Sequence, residues 1–468
     1  MTALDPARHP DEGYSTDATM GTADIVFFVL AGVAPMGVVV ALLVLSIARG
    51  NGVGVPGTYV IAGVILALFS IGFVRMSRRI SDVGGFYSFA RAGLGARAGG
   101  ATAYVALVAY NAATIGIFGT VAYFGSEVFT ALTGTPVPWQ ICAMTFFAIV
   151  AILAYFKVTL SAKVLGVALA AEVLALLSFD GAVLVRNGFH GFSFEVFSPS
   201  MVLGSGFGVS LMLAFGSFVG FEATALYSEE ARRPHRTVPR ATYISLAIIS
   251  GFYLITTWAA ISAYGADRAK AVAEANPQSF LFDAGTDYLG TAFTDLLQIL
   301  VMTSLFAAFL AFHCNTARYH VALARDGLLP NSLARLHPTH GSPVRASAFQ
   351  LTLLAATTLG FTLSGRDPYL DMGISLYGLG ILGIVALQAI AAASIVGFFL
   401  RERRGESIGA AIVAPALGGL GLAAGLALMI ANYPTLTGNT LLWVNSLPWS
   451  LLLAALTGAA VAAIRTHR

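Results

Sequence analysis

Apolar runs of about 20 residues recur twelve times along the chain, and few folds can accommodate them. In hydrocarbon, backbone N–H and C=O groups find no water, so a spanning segment must bond them internally as a helix or within a closed barrel. A barrel strand needs only about ten residues, so runs of this length indicate helices. They fall at about 24–48, 57–75, 98–126, 138–156, 162–185, 205–227, 241–264, 291–320, 344–364, 371–399, 409–431 and 443–464. Only 10% of residues are charged and 57% are hydrophobic, whereas about 25% are charged in an ordinary soluble protein. The expected fold class is an all-α polytopic membrane protein with 12 transmembrane helices.

Residues 1–22 are polar and lack a basic-then-apolar pattern ending at a small-residue cleavage site, so they are expected to form a tail and not a signal peptide. Cytoplasmic loops carry the excess of Lys and Arg. With the N-terminus inside, only Arg49, Arg186, Arg268, Lys270 and Arg366 of the 26 basic residues fall outside. Both termini are therefore expected to be cytoplasmic. This asymmetry explains the net charge of +3 without nucleic-acid binding.

The usual signatures of catalysis are missing. No Gly-Lys dipeptide exists, so there is no Walker A loop. GESIG, residues 405–409, matches a nucleophile elbow formally but lies in a basic loop with no preceding strand. His337 and His340 in HPTHGSP lack companion ligands, and Cys142 and Cys314 lie within spans without metal-ligand spacing. No catalytic residue, metal or cofactor is expected, and no connection is long enough for a soluble domain.

Two spans carry interruptions. The first reads DIVFFVLAGVAPMGVVV, with Gly32, Pro35 and Gly37 at its middle; Pro35 removes a donor and clashes with the preceding turn. Five spans later, LAFGSFVGFEATALYSEE, residues 213–230, places Gly216 and Gly220 at mid-depth, followed by the carboxylate Glu222. A broken helix in a bilayer is tolerated only where protein or a watery cavity satisfies its backbone. The competing reading is close helix contact, since Gly216-x-x-x-Gly220 is also a small-xxx-small pattern. Breaks five helices apart are what an inverted 5+5 repeat produces, about 23–186 and 205–400, with two extra helices at about 409–465 in one transmembrane domain spanning 23–465. Exposed helix N-termini attract anions and unwound carbonyls attract cations, a combination suited to a zwitterion.

Three further stretches carry a resemblance. SDVGGFYSFARAGLG (81–95), GFEATALYSEEARRPHRTVPRA (220–241) and RYHVALARDGLLPNSLARLHPTHGSPVRA (318–346) are similar, in order, to segments of the amino acid/polyamine/organocation superfamily of permeases. The resemblance covers nearly the whole chain. It implies a secondary transporter in which backbone amides at the first break, Ala34, Pro35, Met36 and Gly37, hold a substrate carboxylate. Carbonyls at the second break, Phe215, Gly216, Ser217, Phe218 and Val219 with Gly220, hold the ammonium. This chain departs at the first site, where many members have small-residue runs and Pro35 has no N–H. Glu222 matches the family's glutamate beyond the second break, as a gate or relay, or as a staple on the unwound backbone. Phe218 and Phe221 are candidate lids, although packing also explains aromatic residues there.

The fifth span, SAKVLGVALAAEVLALL, holds Glu172 at mid-depth. Lys163 lies nine residues earlier, about 13 Å along the axis, too far to pair. Intramembrane acids are costly, and Glu172 is expected to be the coupling proton carrier, the alternative being a neutral structural glutamate. Some proton-coupled members have a lysine at the matching position, so their mechanism does not transfer directly. His313 is a candidate to share the proton, against the ordinary role of an interhelical hydrogen-bonding group.

The expected function is secondary active transport of amino acids by alternating access, through proton-coupled import across the cytoplasmic membrane. The alternatives are an amino-acid or polyamine exchanger and, from a different class, a non-transporting amino-acid sensor.

Overall fold

The computed structural model describes residues 20–80, 85–156, 162–222, 224, 231–403 and 405–466. Most of the expected N-terminal tail, the start of the SDVGG segment, the Glu229–Glu230 pair and the Lys163 side chain lie outside the described residues.

Among the described residues all regular structure is helical, apart from one isolated parallel bridge between Met20 and Ala231. The helices are α1 (Thr22–Arg49, interrupted), α2 (Val55–Ser77), α3 (Phe86–Leu94), α4 (Ala96–Thr133), α5 (Trp139–Tyr155), α6 (Ala162–Asn187), α7 (Phe207–Phe218) and α8 (Pro234–Tyr264). They continue with α9 (Ala269–Ala275), α10 (Phe280–Leu289), α11 (Thr291–Arg325), α12 (Val344–Leu363), α13 (Pro368–Arg401), α14 (Gly409–Ala431) and α15 (Trp449–Thr466).

Nine of these are long and apolar enough to cross a bilayer: α1, α2, α4, α6, α8, α11, α12, α13 and α14. The shorter α5, α7 and the Trp449–Ile464 stretch of α15 are also apolar. The segment between the seventh and eighth expected spans is partly helical as well, with α9 and α10 following one another in the chain between α8 and α11.

The sorting of side chains follows from having two solvents. The most apolar window of α4 is 83% buried, whereas that of α12 is 22% buried. The 38-residue α4 is the central post, packed by α13, α15 and α11. Peripheral helices turn Leu359, Leu420 and Leu453 outward at 58%, 68% and 67% exposure, as a hydrocarbon surround requires. The chain is therefore a multi-pass membrane protein.

Close helix contact relies on missing side chains. A Cβ on Gly458 of α15 would lie 2.1 Å from the Gly100 carbonyl oxygen of α4, so two backbones meet where any larger residue would hold them apart.

Candidate functional site

The first interruption is a single residue. Ala34 takes φ 55° and ψ 70°, the one left-handed non-glycine among the described residues. Pro35 is the physical cause: it disfavours the right-handed helical conformation in the residue before it and offers no N–H to continue the ladder. The helix restarts at Pro35, with the Val38 amide donating to the Ala34 carbonyl at 3.0 Å. It then widens to a π-turn over Val39–Leu43, and Tyr369 of α13 donates to the Ala41 carbonyl at 2.9 Å.

The second interruption follows Phe218. Val219 turns extended (ψ 127°) and Gly220 takes φ 110°, a conformation open to glycine but strained for L side chains. The Gly220 amide donates to Glu222 Oε2 at 2.9 Å. Glu222 thus folds back as a staple on the unwound backbone.

Between the two breaks lies a small cavity of about 40 Å³, walled by α1, α4, α11, α13 and Val219. Its walls are chiefly apolar, from Ile117, Leu305 and Phe312; Thr120 and Tyr377 supply hydroxyls, and no acidic or basic side chain among the described residues lines it. Gly37 lines the cavity and lies tight against α11, where a Cβ would come 2.7 Å from Leu305 Cδ2.

The structure distributes the expected site residues unevenly. Ala34 and Gly37 line the cavity. Pro35 and Met36 are buried beside it. Of the residues expected at the second break, only Val219 reaches the cavity wall. Phe215 packs toward Gly425 of α14, and Ser217 bonds the Tyr59 hydroxyl at 2.9 Å. Gly216 lies where a Cβ would be 2.5 Å from Ile381, while its carbonyl accepts from Tyr377 at 3.0 Å. Phe218 and Phe221 are fully buried, and the Phe218 ring sits 6.4 Å from that of Tyr59. The glycines therefore divide the two roles: Gly216 is a contact and Gly220 is the break.

Glu172 of α6 is 4% exposed and sits at the restart of α1. The Met36 amide donates to its Oε2 at 3.2 Å, and Ser304 of α11 donates to the same oxygen at 2.7 Å. The Gly37 amide in turn donates to Ser304 Oγ at 3.2 Å. Ala34 N–H is directed to the Ala31 carbonyl and Pro35 has none. Every amide of the 34–37 stretch is thus taken by the protein itself, and a carboxyl group from α6 occupies the positive end of the restarted helix.

His313 lies elsewhere. Its Nε2 is 2.6 Å from Ser347 Oγ of α12, and it shares no hydrogen bond with Glu172. Ser304 and Tyr377 were not singled out in the sequence, where an isolated serine and tyrosine in apolar spans carry no signal. Asp180 was also missed, although a second acid eight residues after Glu172 in one apolar helix is visible to inspection.

Two broken helices around an apolar cavity, with buried carboxyls at both breaks, are an arrangement that fits a membrane transporter. The profile of the amino acid permease family matches residues 21–458, and the chain belongs to that family, within the superfamily its motifs resemble. An uncharacterized transporter of Mycobacterium tuberculosis is 27% identical, covering 91% of each chain. The branched-chain amino acid permease BcaP of Bacillus subtilis is 24% identical over 80% of this chain and 79% of its own. The low-affinity putrescine importer PlaP of Escherichia coli is 24% identical over 76% of this chain and 75% of its own.

Proposed function

We propose that the chain imports neutral amino acids across the cytoplasmic membrane together with protons, by alternating access within twelve spans. Breaks at Ala34 and at Val219–Gly220, five spans apart, support an inverted five-helix repeat followed by two further helices. The distribution of Lys and Arg supports cytoplasmic termini.

The observation that carries the coupling is the capture of Met36 N–H and Ser304 by Glu172. A substrate carboxylate needs those same donors, and two carboxylates cannot share them without strong repulsion. A proton on Glu172 removes the repulsion and frees the donors, so proton and substrate bind as a pair. The ammonium group is left to carbonyls near Val219, with Glu222 close behind.

A polyamine is the less favoured cargo. Two ammonium groups in a dry site need carboxylate partners, and none lines the cavity among the described residues. Apolar walls suit an aliphatic side chain.

The test is uptake of a labelled amino-acid panel into proteoliposomes under an imposed pH gradient, for wild type and Glu172→Gln. Gradient-driven accumulation by wild type, lost in the variant while exchange persists, is the expected result. Accumulation that ignores the gradient, or survives the substitution intact, overturns the assignment of Glu172.

A further inference from the structure

Asp180 lies two turns beyond Glu172 on α6, about 12 Å further toward Asn187. It is 7% exposed, within the apolar setting of Phe179, Leu176 and Val183. One carboxyl oxygen accepts from Thr256 of α8 at 2.9 Å, and the other has no hydrogen-bond partner. One turn further in on α8, the buried Tyr253 hydroxyl also lacks a hydrogen-bond partner.

Among the described residues no opposite charge offsets Asp180. On α8, Tyr253 is buried one turn from Thr256, while His235, Arg236 and Arg240 are exposed at the other end of that helix. On α10, Asp283 and Asp287 are exposed, and the Tyr288 hydroxyl donates to Asn187 and the Ala263 carbonyl. On α11, Asp295 is exposed, and His313 and His320 bond Ser347 and Asn111. Asp24 of α1 and His190 beyond α6 are exposed. Arg186, on α6 itself, stacks 4.7 Å from the Tyr288 ring centre and donates to the Asp287 carbonyl.

A carboxylate with one hydroxyl donor and no counter-charge is poorly stabilised in such surroundings. A neutral carboxyl fits them, with its proton on the oxygen that has no partner.

We propose that Asp180 is a second proton-holding site, which loads from the outer side and passes its proton inward, through the Tyr253 hydroxyl, to Glu172. In the transfer Tyr253 gives its hydroxyl proton to the Glu172 carboxylate and takes one that originated on Asp180. Asp180 is left as a carboxylate and is recharged from the outer solution. Thr256 keeps the carboxyl turned toward α8. The inference rests on the proton-coupled reading of Glu172.

The experiment measures the rate of gradient-driven amino-acid uptake, with proton entry followed by a pH-sensitive dye inside proteoliposomes, for wild type, Asp180→Asn, Asp180→Glu and Tyr253→Phe. Because substrate and proton enter as a pair, Asp180→Asn and Tyr253→Phe are expected to slow both by about tenfold or more while exchange without a gradient persists, and Asp180→Glu to restore most of the rate. Bound radiolabelled substrate in detergent reports whether each variant is folded. Should Asp180→Asn fail to bind, Tyr253→Phe and Thr256→Val, which leave the carboxyl in place, decide the matter by the same rate. A wild-type rate in the variants overturns the relay while leaving the coupling at Glu172 standing. If wild type moves no protons with substrate, the underlying functional reading fails and the relay with it.

Discussion

Ser304 performs two tasks with one hydroxyl, accepting from the Gly37 amide and donating to Glu172. Replacing it by alanine leaves a buried N–H unpaired and removes one of two hydrogen bonds to the acid, at a cost of about 1–3 kcal/mol. Ser304→Ala is expected to lower the melting temperature in detergent and weaken gradient-driven uptake. Ser304→Thr, which keeps the hydroxyl, is expected to retain both, and equal behaviour of the two variants would remove this role. Pro35 announced the first break because its effect is covalent and local. At the second break two glycines were equally eligible, and only the closeness of Ile381 to Gly216 and the bond from Gly220 to Glu222 separate contact from break.

Helices meet where their sequences permit close approach. The contact of α4 with α15 depends on Gly100 and Gly458, whose backbones would each collide with a Cβ on the other. Gly458→Leu is expected to push α15 outward, costing about 1–3 kcal/mol as overpacking does, and to reduce the monodisperse fraction in size-exclusion chromatography. Gly251→Leu on α8, with nothing within 4 Å of its Cβ position, serves as the control and is expected to behave as wild type. The lengths of these elements were legible in part. Expected spans at 98–126 and 291–320 extend to Ala96–Thr133 and Thr291–Arg325, because helices continue past the apolar stretch into polar residues that hydropathy does not recognise.

The whole molecule has a direction as well as a shape. If basic loops face the cytoplasm, a cysteine at Arg268 is expected to react with an impermeant maleimide from outside intact cells. One at Arg335 is expected to react only after permeabilisation, in a background lacking Cys142 and Cys314. The reverse pattern would invert the topology and, with it, the side from which Asp180 loads. At this scale the sequence by itself determined the class, because a bilayer imposes its length and its apolarity on each segment separately, and twelve apolar runs can be counted one residue at a time. It also marked Glu172 as an anomaly. Only the tertiary structure decided what that acid touches: Met36 lies 136 residues from it and Ser304 lies 132. Such a meeting depends on how α1, α6 and α11 pack together, and no local property of the chain encodes it.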